Sequence, residues 1–111
     1  MEGCIFCKIA RGEIPSAKVY EDERVLAFRD IDPKAPAHAL IVPKAHFASV
    51  LEADAGTVGA LFEAAKEVAK ALGVAESGFR LVVNTGRDGG QSVEHLHVHL
   101  LGGRALAWPP G

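Results

Sequence analysis

Histidines 95, 97 and 99 alternate with Leu96, Val98 and Leu100 in an unbroken period of two. That period specifies a β-strand, in which successive side chains point to opposite faces. His95, His97 and His99 would form one row, with roughly 6.5–7 Å between successive members. Leu96, Val98 and Leu100 would face a core. A row of imidazoles on a half-buried strand is costly unless something occupies it: a metal, an anionic substrate or a covalent intermediate on one of the rings. The chain has only five histidines, so three in register point to function. His-x-His is a frequent metal-ligand spacing. Here no acidic residue lies within or just after the row, and Gly102-Gly103 follow it. That composition weakens a hydrolytic-metal reading.

The length of 111 residues predicts a single domain spanning 1–111. With 49% hydrophobic residues the chain can build a core, although burial is modest at this size and oligomerisation would help. A net charge of −2 gives no electrostatic footprint for nucleic acid. No apolar run approaches the ~20 residues that span a bilayer. Met1-Glu2-Gly3-Cys4 lacks the basic-then-apolar character of a signal segment, and two cysteines suit a reducing compartment; both predict a cytoplasmic protein.

Ile5 to Arg11 reads as a short helix closed by Gly12. Val19-Tyr20 and Val25–Phe28 read as two strands of a hairpin, and His38–Pro43 as a third strand ended by its proline. From Thr57 to Leu72 the apolar residues Val58, Leu61, Phe62, Ala65, Val68, Ala69 and Leu72 follow helical spacing. Asp54 suits the N-cap and Gly73 the C-terminal stop. Phe79–Asn84 and His95–Leu101 complete five strands. The order predicts an α+β fold: a five-stranded antiparallel meander with one long and one short helix.

Thr85 to Ser92 contains three glycines in five residues, which lets backbone amides approach an anion. It lacks the lysine of a phosphate loop, and a plain hairpin turn explains it equally well. Its adjacency to the imidazole row brings donors and the Ser92 hydroxyl beside a histidine nucleophile, as phosphoryl or nucleotidyl transfer requires. Cys4-x-x-Cys7 admits redox, metal-binding or incidental readings. Large Ile5 and Phe6 between the thiols, with no preceding strand, argue against thioredoxin-like chemistry.

Together these motifs resemble the histidine triad nucleotide-binding proteins. The resemblance rests on His95–Leu101 with Gly89–Val93 before it, and on Cys4–Ile9, Glu13-Ile14-Pro15, Tyr20-Glu21-Asp22, Asp30-Ile31, Ala37-His38, Ile41–Lys44 and Val82-Val83-Asn84. The ending Gly102-Gly103-Arg104 through Trp108-Pro109-Pro110-Gly111 is similar to the purine nucleoside phosphoramidase branch. The resemblance implies hydrolysis of nucleoside 5′-phosphoramidates through a nucleotidyl-His97 intermediate, with no cofactor for catalysis. It gives His99 and Ser92 to the phosphate or leaving group and makes His38 a supporting residue. Asp30 would hold the ribose hydroxyls, and Ile31, Ile5, Phe6, Ile9, Phe28 and Leu40 an apolar slot for the base. Asn84, Gly90 and Gln91 would contact sugar or phosphate. Cys4, Cys7, His46 and His95 would hold a structural zinc, and Trp108 belongs to a tail that reaches a partner's site in a homodimer. A dinucleoside polyphosphate hydrolase of the same family is the nearest rival, against which the Trp-Pro-Pro-Gly ending speaks. A nucleotide-binding scaffold and a metallohydrolase using the histidine row are the readings from other classes.

Overall fold

The computed structural model describes residues 3–111; Met1 and Glu2, read above for targeting character, lie outside the described residues. The order of elements is α1 (Ile5–Ala10), β1 (Lys18–Glu21), β2 (Val25–Arg29), β3 (Ala37–Pro43), a 3₁₀ turn (Val50–Glu52), α2 (Ala55–Ala71), β4 (Phe79–Val82) and β5 (Val98–Gly102). The strands form one antiparallel sheet in the order β1-β2-β3-β5-β4. The fold class is the expected α+β arrangement, with one change of connection. The meander covers β1 to β3; α2 then carries the chain to the far edge, and β5 returns between β4 and β3.

α2 starts where Asp54 caps it, accepting hydrogen bonds from the Thr57 backbone amide at 3.3 Å and hydroxyl at 2.6 Å. It ends at Leu72, with Gly73 in the left-handed region at φ 74°. Leu61, Ala64, Ala65, Val68 and Ala69 are buried, while Glu63–Lys66 and Glu67–Lys70 pair on the outer face. Phe62, expected in the apolar stripe, lies 39% exposed at its margin. The stripe packs on Val25, Ala27, Ala39, Ile41, Val98 and Leu100. Each large side chain buried there contributes on the order of 1.5–3 kcal/mol.

The opposite sheet face carries a second cluster, Leu26, Phe28, Leu40 and Val42, covered by Phe6 and Ile9 of α1. β2 and β3 are therefore buried on both faces, which explains their continuous apolar runs. Leu40 pairs with Phe28 on one side and His99 on the other, so these side chains share the α1 face. His38, two residues from Leu40, shares it too.

The strand expected over His95–Leu101 begins later. The ladder with β3 starts at Val98, and His95 to His97 lie in the irregular segment before it. Leu96 still enters the core, because its amide is fixed by the Phe47 carbonyl at 2.7 Å. The alternation of faces thus extends beyond the hydrogen-bonded strand. Among the described residues, no helix is long and apolar enough to cross a membrane.

Candidate active site and metal centre

A cleft of about 470 Å³ opens on the α1 face of the sheet. Ile5, Phe6, Ile9, Phe28, Ile31 and Leu40 form its apolar wall, and Asp30, Ser92, His97 and His99 its polar end. An apolar slot with a few convergent polar groups suits a flat heterocycle joined to an anion. Pro15, Ser16 and Ala17 also line it. Sequence reasoning assigned them no role; their signal was the short link between α1 and β1, which must run along the face that α1 covers.

His97 is 3% exposed and packs against Phe6 in a T-shaped arrangement, with ring centroids 5.2 Å apart. Its Nδ1 donates to the backbone carbonyl of His95 at 2.7 Å. A neutral imidazole has one N–H, so this bond leaves the Nε2 lone pair for the cleft. The acceptor that sets the tautomer thus lies two residues upstream in the same chain.

A second chain of bonds fixes His99. The Lys34 backbone amide donates to His38 Nδ1 at 3.0 Å, which places the His38 proton on Nε2. His38 Nε2 then donates to His99 Nδ1 at 3.0 Å, with the Asp30 carboxylate 3.4 Å away. His99 must carry its own proton on Nε2, and this buried atom has no partner among the described residues. A buried donor without an acceptor carries a desolvation cost that a ligand oxygen or nitrogen would relieve. Burial, with His97 and His38 adjacent, pushes the His99 pKa down to about 4, and burial holds His38 below the ordinary imidazole range despite the nearby Asp30 charge.

The remaining members of the expected site lie elsewhere. His38 stands behind His99 and does not line the cleft. The glycine-rich loop uses its own groups: the Gly86 amide donates to Gln91 Oε1, Gly90 to the Arg87 carbonyl and Gln91 to the Gly86 carbonyl. Gln91 Nε2 donates to the carbonyls of Ala48 and Val93, so this side chain clamps the loop. A Cβ on Gly89 would meet the Thr85 carbonyl oxygen, which explains that glycine by close packing. What the loop delivers to the cleft is Ser92 and Val93. Asn84 is half-buried past the end of β4, outside the cleft lining. Trp108 is 80% exposed beneath the Arg80 guanidinium and also lies outside it.

Cys4, Cys7, His46 and His95 converge, with their ligand atoms all within 4.8 Å of one another. His95 Nδ1 lies 3.3 Å from Cys4 Sγ, 3.5 Å from Cys7 Sγ and 3.2 Å from His46 Nδ1, and Cys7 Sγ lies 3.3 Å from His46 Nδ1. A tetrahedral zinc ion spaces its S–N and N–N ligand pairs about 3.3–3.6 Å apart, so the donor set fits. His95 Nε2 donates to the Pro43 carbonyl at 2.9 Å, which turns the Nδ1 lone pair toward the cluster, as a zinc ligand requires. Asp30, His38 and His99 also lie close enough to suggest a metal. There the outer nitrogen of His38 faces an N–H donor, so its inner nitrogen carries a proton and is no ligand.

The depressed histidines set a pH dependence. Unfolded, His38 and His99 bind protons near pH 6.5; folded, His99 does so only near pH 4, so the unfolded state holds more protons between these values. Stability to urea is expected to be level above about pH 7 and to fall as pH drops from about 6.5 toward 4. His99→Asn should flatten part of that slope. Equal urea midpoints for the native chain at pH 7.5 and pH 5 would contradict this assignment.

The HIT domain family profile matches residues 11–106. This segment includes Ser92, His97 and His99 and leaves Cys4, Cys7 and the α1 wall outside it. The chain is 54% identical over 112 residues to the 14 kDa zinc-binding protein of Zea mays, covering 96% of this chain and 87% of the relative. It is 51% identical over 112 residues to adenylylsulfatase HINT1 of Arabidopsis thaliana, covering 96% of this chain and 76% of that one. The crystal structure of a HIT family hydrolase from Legionella pneumophila superposes with a TM-score of 0.94 at 50% identity, covering 98% of this chain and all of the other. A histidine-bearing strand end, an apolar cleft and end-to-end similarity agree, and the chain belongs to the HIT domain family.

Proposed function

We propose that the protein is a nucleotide-binding hydrolase that cleaves purine nucleoside 5′-phosphoramidates through a nucleotidyl-His97 intermediate. The observation that carries this reading is the His97 Nδ1–H bond to the His95 carbonyl, which frees Nε2 as a nucleophile in the cleft. The base occupies the slot of Ile5, Phe6, Ile9, Phe28, Ile31 and Leu40. Asp30 accepts from the ribose hydroxyls, and Ser92 donates to a phosphate oxygen. The Nε2 lone pair of His97 attacks the α-phosphorus, and the bond from phosphorus to the leaving nitrogen breaks. The His99 Nε2–H donates a hydrogen bond to that nitrogen, which takes a proton from water as the bond breaks, so a neutral amine departs. Water then attacks the nucleotidyl-histidine, loses a proton to the hydroxide left by the first step, and releases the nucleoside monophosphate and a neutral His97. Splitting one displacement into two lowers each barrier.

The leaving group has room beyond Ser92. A second cavity of about 310 Å³ shares Ile5, Ser92 and Val93 with the cleft and adds His46 and Glu94. A second reading keeps the same first step and changes the departing group to sulfate, which the name of the Arabidopsis relative favours.

His97→Asn should lower kcat for adenosine phosphoramidate by roughly 10³-fold or more while AMP binding survives within a few fold. Turnover at the native rate, or no nucleotidyl-protein trapped in a single turnover of the native chain, would overturn the mechanism.

We infer further that the Cys4, Cys7, His46 and His95 site holds structural zinc. Reduced, purified protein should contain about one zinc per chain and lose thermal stability to a chelator. A metal content near zero would remove this assignment.

We also infer a homodimer. β4 lies at a sheet edge, Phe79 on it is 39% exposed, and Trp108 stands uncovered. Light scattering at micromolar concentration should give twice the 11.7 kDa chain mass; the mass of one chain would refute it.

A further inference from the structure

The metal cluster and the nucleotide cleft share their supports, and the sharing runs through His95. The position of the His95 carbonyl, which orients His97, is not set by the sheet, because the ladder begins only at Val98. Among the described residues, two polar restraints hold this segment, besides the packing of the Leu96 side chain in the core. One is the Leu96 amide on the Phe47 carbonyl. The other is the His95 side chain, tied by Nε2 to the Pro43 carbonyl and by Nδ1 to the thiols and His46. Whatever fixes the His95 ring therefore fixes the acceptor of the His97 proton.

The short helix makes a second link. α1 has six residues, too few to hold its shape without tertiary contacts. Cys4 caps it, its Sγ accepting from the Cys7 amide at 3.3 Å, and Cys7 sits in its first turn. The residues between and after these thiols, Ile5, Phe6 and Ile9, form the cleft wall. Phe6 makes T-shaped contacts with both His95 and His97, with centroids 5.8 and 5.2 Å apart. An ion gathering four donors at the cluster would hold α1 and the His95 backbone together in the arrangement a nucleotide needs.

We propose that His95 is a positioning residue for His97, and that Zn²⁺ at the Cys4, Cys7, His46 and His95 site and a nucleoside monophosphate in the cleft strengthen each other's binding. This rests on the nucleotide-binding and zinc readings above and adds a coupling between them. Two sites coupled in binding must affect each other by the same factor, typically about 5- to 150-fold. A purely structural ion would raise melting temperature and leave nucleotide affinity unchanged.

The experiment measures AMP affinity by calorimetry on reduced protein, with the metal removed and with one Zn²⁺ per chain restored. Zn²⁺ affinity is measured by chelator competition with and without AMP. The same factor, about fivefold or more, is expected in both directions. Imidazole ¹⁵N spectra should show His97 in a single Nδ1–H tautomer in the zinc-loaded protein and a mixture without zinc. His46→Asn removes a donor that does not line the cleft; its AMP affinity should equal that of metal-free native protein and should not respond to Zn²⁺. AMP affinities within about twofold for folded loaded and metal-free protein would overturn the coupling. So would an unchanged His97 tautomer, or a chain that takes up no Zn²⁺. Failure to bind AMP in either state would instead strike down the nucleotide reading and this proposal with it.

Discussion

One hydrogen bond organises the chemistry of this molecule: the ring proton of His97 held on the backbone oxygen of His95. It decides which nitrogen of a buried imidazole keeps its lone pair, and the rest of the site is arranged around that nitrogen. An acceptor on the main chain has an advantage over a carboxylate here. It fixes the tautomer without adding a charge that would draw the ring toward its protonated, non-nucleophilic form. The bond also requires a bend. The backbone carbonyl can turn back toward a ring two residues later because residues 95–97 lie ahead of the β5 ladder.

The two histidine clusters differ in what faces the outer nitrogens of His95 and His38. His95 presents an N–H to a carbonyl and so offers its other nitrogen to cations. His38 accepts from an amide, and this passes a proton orientation through to His99. By residue type and proximity alone, both clusters could hold a metal. Hydrogen-bond direction separates a set whose free lone pairs could hold a metal from a pair that carries its protons inward. The low pKa of His99 belongs with this picture, since burial keeps both rings of that pair neutral.

Much of this was legible in the sequence, for identifiable reasons. Period-two alternation placed Leu96, Val98 and Leu100 in the core, and 3–4 spacing found α2 with its Asp54 cap. Of the apolar residues assigned to a base slot, Phe6, Ile9, Phe28 and Leu40 form a cluster of their own on the second sheet face, and Ile5 and Ile31 line the cleft from exposed positions. Strand order was less readable, because local pattern does not say where β5 returns after the α2 crossover. The start of the β5 ladder escaped for a related reason: alternation reports which way side chains point, and this continues where backbone pairing has stopped. The role of Lys34 had no signal at all, since its main-chain amide acts on His38. Gln91 and Gly89 read equally as phosphate binders or loop builders; only the partners of Gln91 and the crowding at Gly89 show what they do for the loop.

Because β3 is covered on both sides, its consecutive residues answer to different demands. Ala39 and Ile41 belong to the face beneath α2, whereas His38 and Leu40 belong to the face of the cleft. Evolution along this one strand would then proceed in two interleaved registers. Even positions drift with the chemistry of the ligand, and odd positions drift only as far as the long helix can repack over them.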